Sequence, residues 1–240
     1  MIKRHTIRLL HQAKTPRAAA IAGIIFGILF SLSIVIMILS MPADLADISA
    51  WTDAHRSRIA ISFELIPLAG LAFLWFVGVV RARMGTYEDQ FFATVVQGSG
   101  LLFLAMTFCA FGIGAGMLTA YEIGGDQVIT FNIYQLFLSI ISQIFNTYAL
   151  KMAAVFMFSL STLWLRTGVM PLVLSFFTYA MAILMFVSIS LSLWMVLLFP
   201  AWVFCVSVYI LILSFGRKPS GFTDGMTPAP DAQEAKVSQM

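Results

Sequence analysis

The fold is decided by a long stretch without any charged side chain, residues 171–215, which reads PLVLSFFTYAMAILMFVSISLSLWMVLLFPAWVFCVSVYILILSF. A membrane-spanning helix needs about 20 mostly apolar residues, so this stretch has room for two of them. The serines of residues 188–192 and the nearby Trp194 predict the turn between the two helices, because tryptophan favours the membrane interface.

Four more apolar segments lie upstream of this stretch. The chain as a whole is 60% hydrophobic and 10% charged, whereas soluble domains carry about 25% charged residues. This composition excludes a soluble fold. We therefore expect an all-α membrane protein, a bundle of six transmembrane helices within the lipid bilayer. The upstream segments cover roughly residues 18–41, 59–80, 92–121 and 128–165, by the span length that a bilayer requires.

The basic residues predict the orientation of the bundle, because lysine and arginine accumulate in cytoplasmic loops. With six spans, one side of the membrane receives ten of them and the other side receives Arg56 and Arg58. Both termini are therefore expected in the cytoplasm. The ten residues are Lys3, Arg4, Arg8, Lys14, Arg17, Arg81, Arg83, Arg166, Arg217 and Lys218.

This reading divides the chain into three parts. Residues 1–17 form a basic cytoplasmic segment, residues 18–216 form the six-helix transmembrane domain, and residues 217–240 form a disordered cytoplasmic tail rich in proline and small polar residues. The less favoured alternative is that the first span is a cleaved signal peptide. Its apolar stretch is longer than the usual signal core of about 7–15 residues.

Glu64 and Lys151 are the two formally charged side chains placed well inside apolar segments. A charge at mid-helix costs about 2.5–3.5 kcal/mol on insertion scales, so such a group normally faces a partner or a wet cavity. Both residues are expected at similar depth in the outer leaflet, which predicts an ion pair between the second and fourth spans. Alternatively, Lys151 extends its ammonium group to the interface along its own stem.

The surroundings of this pair define a candidate substrate site. Pro67 follows Glu64 by three residues and removes the hydrogen bond to the carbonyl of Phe63. In transporters, interrupted helices with intramembrane polar groups often mark binding sites. The candidate site consists of Glu64, Pro67, Thr147, Tyr148 and Lys151.

The fourth segment carries a polar strip, Gln135, Ser139, Ser142 and Asn146, at helical spacing. Without glycine or proline from residue 126 to 167, one continuous helix of about 57 Å is possible, nearly twice the hydrocarbon thickness. Residues 128–146 then project outward, lie on the outer surface, or bend inward as a lining element. We expect the strip to form interhelical contacts or a partly wet outer cavity rather than a pore.

Glycines at close spacing predict tight helix packing in two places. Gly23 and Gly27 form a GxxxG motif, and residues 112–116 read GIGAG. Packing within the chain is favoured over dimerisation in both cases. The GIGAG run lacks the strand and the GxGxxG pattern of a nucleotide-binding loop.

Other chemistry is not indicated. The three histidines, His5, His11 and His55, lie outside the apolar spans, and Cys109 and Cys205 are expected to pack as small apolar residues. We therefore expect no cofactor, no metal, no nucleic-acid partner and no enzymatic activity.

The second and third spans carry a resemblance to a known group. Residues 64–85, ELIPLAGLAFLWFVGVVRARMG, and 88–106, EDQFFATVVQGSGLLFLAM, resemble a family of uncharacterised bacterial polytopic integral membrane proteins with no assigned activity. The resemblance implies a bacterial origin, a small polytopic fold and a place in the cytoplasmic (plasma) membrane. It implies no catalytic role.

Two functions remain open at this point. The protein binds or transports a small or lipophilic solute through the site near Glu64 and Lys151. Alternatively, it is a non-catalytic structural or accessory subunit, a homo-oligomer or part of a larger membrane complex, in which the same pair locks two helices together.

Overall fold

The structure, a computed structural model, describes residues 2–40, 48–84, 90–124, 127, 129–168, 170–187 and 193–216. At residues 2–16, 48–54, 82–84, 90, 193–194 and 215–216 it describes the backbone alone. These residues are helical almost throughout. The predicted turn at residues 188–192 and the predicted disordered tail from residue 217 lie outside the described residues.

In the described ranges, six helices occur at the positions that the apolar segments predict. The fourth is continuous from Phe131 to Thr167 and contains a π-helical stretch, here called the π-segment. Within the described residues, five helices are long and apolar enough to cross a membrane; the fifth along the chain has only 16 residues. The bounds are α1 Ile2–Leu39, α2 Ile48–Met84, α3 Gln90–Gly124, α4 Phe131–Ser142, the π-segment Gln143–Ala149, α5 Leu150–Thr167, α6 Leu172–Val187, a 3₁₀ turn Leu193–Leu197, and α7 Leu198–Gly216.

The helices pack as a bundle in which α1 lies between α2 and α7, while α3 packs against α2 on one side and against α4, the π-segment and α5 on the other. Helix α6 packs mainly against α5. Arg166 ends α5 at one end of the bundle, where its guanidinium lies 4.7 Å from the centre of the Phe92 ring. At the opposite end, Arg56 Nε donates to Glu122 Oε1 at 2.7 Å. These are called the Arg166 end and the Glu122 end below.

A cluster of phenylalanine rings fills the centre of the bundle. The shortest ring distances in the cluster are 4.7 Å between the centroids of Phe103 and Phe199, and 4.8 Å between those of Phe26 and Phe73. Because lipid tails are as apolar as these rings, close packing rather than removal from water holds such helices together. The phenylalanine cluster consists of Phe26, Phe30, Phe73, Phe103, Phe156 and Phe199, all at most 2% exposed.

Buried hydroxyl groups add hydrogen bonds between the helices. The Ser33 hydroxyl donates to the carbonyl oxygen of Ser62 at 2.7 Å and joins α1 to α2. The Ser161 hydroxyl donates to the carbonyl oxygen of Ser175, also at 2.7 Å, and joins α5 to α6. Such bonds are each worth about 0.6 kcal/mol on average in a membrane, so they orient the helices more than they stabilise them.

The GxxxG motif of α1 packs against α7, as the sequence predicts. A Cβ atom on Gly27 would lie 2.8 Å from Phe204 Cβ and 3.1 Å from the carbonyl oxygen of Pro200. A Cβ atom on Gly23 would meet the Ser207 hydroxyl. The motif therefore brings two helices of the same chain together, and packing within the chain is confirmed.

Candidate functional site

A cavity of about 260 Å³ lies between α1, α2, α3 and the fourth helix, on the Glu122 side of the phenylalanine cluster. The 3₁₀ turn before α7 contributes Val196 to its wall. Most of the lining is apolar. The lining includes Ile34, Phe63, Phe111, Ser142, Phe145 and Asn146.

Aromatic rings form the side of this cavity that faces the phenylalanine cluster, and they pack against that cluster. The Phe111 ring lies 6.0 Å from Phe63 and 5.8 Å from Phe145, measured between centroids. The Phe145 ring in turn stacks on Phe30 at 6.4 Å. Because Phe30 belongs to the buried cluster, aromatic rings close this side of the cavity toward the Arg166 end.

Two polar side chains interrupt the apolar wall. Asn146 Nδ2 donates to Ser142 Oγ at 2.9 Å across one helical turn. Within the described part of the chain neither side chain makes a second hydrogen bond, so the Ser142 hydroxyl hydrogen and the Asn146 amide oxygen remain available to a ligand. Part of the polar strip therefore lines a cavity, one of the two roles predicted for it. Gln135 and Ser139 lie outside the lining.

The π-segment positions Asn146 and Phe145 in this wall. Leu150 N–H bonds to the carbonyl oxygen of Phe145, five residues back, which is the widened spacing of a π-helix. The extra residue turns the following helix relative to α4, and such insertions are frequent at functional sites. The long helix predicted for this region is present from Phe131, and its first half packs along α3 and lines the cavity. This half therefore lines a cavity, as the predicted lining element would.

Gly114 shapes the opposite wall. A Cβ atom on Gly114 would lie 3.0 Å from the tip of the Phe63 ring and 3.7 Å from Ile141 Cδ1. The other two glycines of the GIGAG run, Gly112 and Gly116, have no atom within 4 Å of such a Cβ. The predicted close packing of this run is therefore confirmed at Gly114 and wrong at its two neighbours, which lie on the exposed face of α3.

Glu64 lies on the outer face of α2, where its side chain is exposed. It stands in an apolar stripe that includes the exposed residues Leu68, Leu71 and Trp75. Phe73, at the centre of the bundle, follows Glu64 by nine residues, which is two and a half turns at about 3.6 residues per turn. Glu64 therefore points away from the core, toward the outside of the bundle.

Lys151 lies in the first turn of α5 and is half-buried. Its depth can be inferred from Phe156, whose ring lies 5.6 Å from that of Phe73. Stepping five residues back along both helices places Lys151 level with Leu68. That level is about 6 Å from Glu64 along the bundle axis, at 1.5 Å per residue.

The predicted ion pair between Glu64 and Lys151 is not formed. Within the described residues, the ion pair present joins Arg56 to Glu122. Neither Glu64 nor Lys151 has an ion-pair partner within 4 Å there. The reason is geometric: α3 packs against both α2 and α5, and Glu64 projects from the side of α2 opposite Phe73. Similar depth along the bundle axis does not produce an ion pair when the two side chains leave their helices in different directions.

The other candidate residues are also separated. Pro67 lies on the exposed side of α2, within a helix that continues through it. Thr147 is half-buried and Tyr148 is exposed, both in the π-segment. None of the five predicted site residues lines the cavity. Their direct sequence neighbours Phe63 and Asn146 do, because consecutive helical residues point about 100° apart.

Comparisons with known proteins assign no family to this chain. No protein-family model, no curated protein and no solved structure matches it. Within the described residues, no group of three or more histidine, cysteine, aspartate or glutamate side chains is arranged to hold a metal ion. The chemistry of the cavity is therefore the main guide to function.

Proposed function

We propose that the protein is a non-catalytic, multi-pass protein of the bacterial plasma membrane that binds a small lipophilic solute at its Glu122 end. The observation that carries the proposal is the apolar cavity with the hydrogen-bonded pair Ser142 and Asn146 in its wall. The Arg166 end faces the cytoplasm in this proposal, since Arg17, Arg81 and Arg166 lie there.

The cavity favours a particular kind of ligand. Its volume of about 260 Å³ falls slightly below the range of about 300–1,000 Å³ that is common for drug-sized ligands. The aromatic and aliphatic walls favour an apolar body, and the two polar side chains favour one hydroxyl, carbonyl or amide group on it. A fatty alcohol of modest length has both properties.

Binding is favoured over transport through the bundle. A solute leaving the cavity toward the Arg166 end would have to pass the phenylalanine cluster, whose rings are at most 2% exposed. Interiors packed in this way do not deform continuously, so passage would require several rings to change position together. Release is therefore expected on the side of the cavity that faces the Glu122 end.

The proposal is tested with a fatty alcohol of modest length that carries a photoactivatable diazirine. After irradiation of the purified protein, peptide mapping by mass spectrometry should place adducts on the segments around Phe63 and around residues 141–146. An excess of the same alcohol without the diazirine should compete with labelling, whereas the alkane of equal length should compete less well.

A matched glycine pair provides the control. Gly114→Val pushes Phe63 and Ile141 toward the cavity and should reduce this labelling, whereas Gly112→Val adds the same side chain on the open face of α3 and should preserve it. Equal labelling of the two variants, or labelling confined to lipid-facing residues, would contradict the proposal.

The α2 surface favours a second function, that of an accessory subunit in a membrane complex. Glu64 stands exposed among Leu68, Leu71 and Trp75, and leaving its carboxylate in lipid costs about 2.5–3.5 kcal/mol at mid-helix. Charge complementarity favours one kind of partner, a membrane helix with a lysine or arginine at the depth of Glu64.

A photocrosslinking amino acid at Leu68 tests this alternative. We expect a protein adduct of one defined mass, which Glu64→Lys abolishes by like-charge repulsion and Glu64→Asp retains. A photocrosslinking amino acid at Ile28 on α1 is the control and should give lipid adducts alone. Lipid adducts alone at Leu68 as well would contradict the accessory role and leave solute binding unaffected.

A further inference from the structure

A second cavity of about 260 Å³ lies between α5 and α6 and shares no lining residue with the first one. Its walls are entirely aliphatic and aromatic. It is open toward the lipid, since Phe158 and Phe186 are exposed and Val187 is 68% exposed. We call it the α5–α6 groove; its lining includes Val155, Phe158, Ala182, Ile183, Phe186 and Val187.

Polar and aromatic contacts close the groove toward the Arg166 end. The Tyr179 ring packs edge-on against Phe158 with 4.7 Å between centroids. The hydroxyl groups of Tyr179 and Thr162 lie 2.6 Å apart. A chain lying in the groove would therefore end against this pair and would extend from there toward the Glu122 end.

Lys151 stands at the other end of the groove. Val155 and Phe158 follow it by four and seven residues, so the three side chains form one stripe along α5. Helical side chains lean toward the N-terminus of their helix, which directs Lys151 away from the groove floor and toward the Glu122 end. Within the described residues Lys151 has no acidic partner.

The length of α6 brings the groove close to the membrane interface. Its 16 residues span about 24 Å, less than the hydrocarbon thickness of about 30 Å. The helix ends at Val187, which lines the groove at the level of Lys151. The long stem of Lys151 can then hold its ammonium group at the depth of lipid phosphates.

We propose that the α5–α6 groove binds one acyl chain of an anionic phospholipid and that Lys151 pairs with the negative charge of its headgroup. The groove supplies the shape for the chain, and Lys151, which has no acidic partner in the described part of the chain, selects the charge. The site is separate from the solute cavity, and neither proposal depends on the other. The lipid proposal also gives the Lys151 ammonium group a negatively charged partner, whereas the predicted ion pair with Glu64 is not formed.

The test is a lipid titration of the purified protein in detergent, followed by native mass spectrometry. Phosphatidylglycerol and phosphatidylcholine with identical acyl chains are compared. One lysine near an anionic surface contributes enough to favour the anionic lipid about fivefold. Lys151→Met should abolish this preference, and Lys151→Arg should retain it. Arg58→Met is the control: it removes a cation at the same end of the bundle but on α2, away from the groove. This variant should also retain the preference for the anionic lipid.

A second pair of variants tests the groove itself. Ile183→Trp fills it and should lower retention of both lipids, whereas Ile28→Trp on the exposed face of α1 should not. Inorganic phosphate is added as a competitor. The proposal is overturned if Lys151→Met keeps the preference, if Ile183→Trp has no effect, or if phosphate alone displaces the lipid, which would indicate an anion site without a chain site.

Discussion

The two halves of the bundle are packed in different ways. In the Arg166 half, α1 and α7 approach through Gly23 and Gly27, and Trp202 Nε1 donates to the Thr178 hydroxyl at 3.0 Å between α7 and α6. In the Glu122 half, the π-segment and Gly114 leave a cavity. One half fixes the relative positions of the helices, and the other half is therefore free to hold a ligand.

Polar side chains occur in two kinds of environment. Two buried hydroxyls of the tightly packed half, those of Ser161 and Thr178, bond to neighbouring helices. Ser142 and Asn146 bond to each other and face open space. Polar side chains in the first group stabilise the fold, and those in the second group are available for recognition.

The largest expected effect comes from truncating a ring in each half. Phe199 is fully buried in the phenylalanine cluster, whereas Phe145 borders the cavity. Phe199→Ala should lower the free energy of unfolding by about 3–5 kcal/mol, because it opens a new cavity in a closely packed region. Phe145→Ala only enlarges an existing space and should cost clearly less. Thermal unfolding in one detergent measures both, and equal losses would show that the halves are packed alike.

The second effect concerns the two glycine motifs. Gly27→Val places a side chain against Phe204 and the Pro200 carbonyl and should cost about 1–3 kcal/mol through overpacking. Gly112→Val makes the same change where no atom lies within 4 Å, so the cost of overpacking is absent. Thermal unfolding of the two variants separates packing from helix propensity. A loss at Gly112 as large as that at Gly27 would contradict the assignment of the tight contact to α1 and α7.

A smaller change in stability is expected from removing a buried hydroxyl, and it depends on whether that hydroxyl has a hydrogen-bond partner. Ser161→Ala removes the interhelical bond to the Ser175 carbonyl and should cost about 0.6 kcal/mol, up to roughly 1.7 kcal/mol. The hydroxyl of Ser207 is buried and has no hydrogen-bond partner within the described residues. Ser207→Ala should therefore leave stability unchanged or raise it slightly, since the alanine leaves no polar group unpaired. The two midpoints of thermal unfolding should shift in different ways, and an equal decrease would refute the distinction.

The sequence predicts the helices well and the directions of their side chains poorly. Apolar length fixes the helices because a backbone in lipid must satisfy its own hydrogen bonds, and this physics is local. The outer and inner faces of α2 are both apolar, so nothing marked the side on which Glu64 would lie. The π-segment also lacks a local signal in residues 143–149. The contact of Gly114 with Phe63 depends on two helices together, and hence the cavity became visible only in the folded bundle.

The smallest expected effect tests the relation between the two intramembrane charges. An ion pair between Glu64 and Lys151 would couple their substitutions, with the double variant more stable than the sum of the single changes predicts. In the structure the two side chains leave helices α2 and α5 in different directions and share no partner. Glu64→Gln and Lys151→Met should then be additive, with a coupling energy below about 0.5 kcal/mol. A double-mutant cycle by thermal unfolding measures this term, and a coupling of several kcal/mol would restore the interhelical lock. Near-zero coupling would instead show that Glu64 and Lys151 act independently, as expected for side chains on the outer surface of α2 and beside the α5–α6 groove.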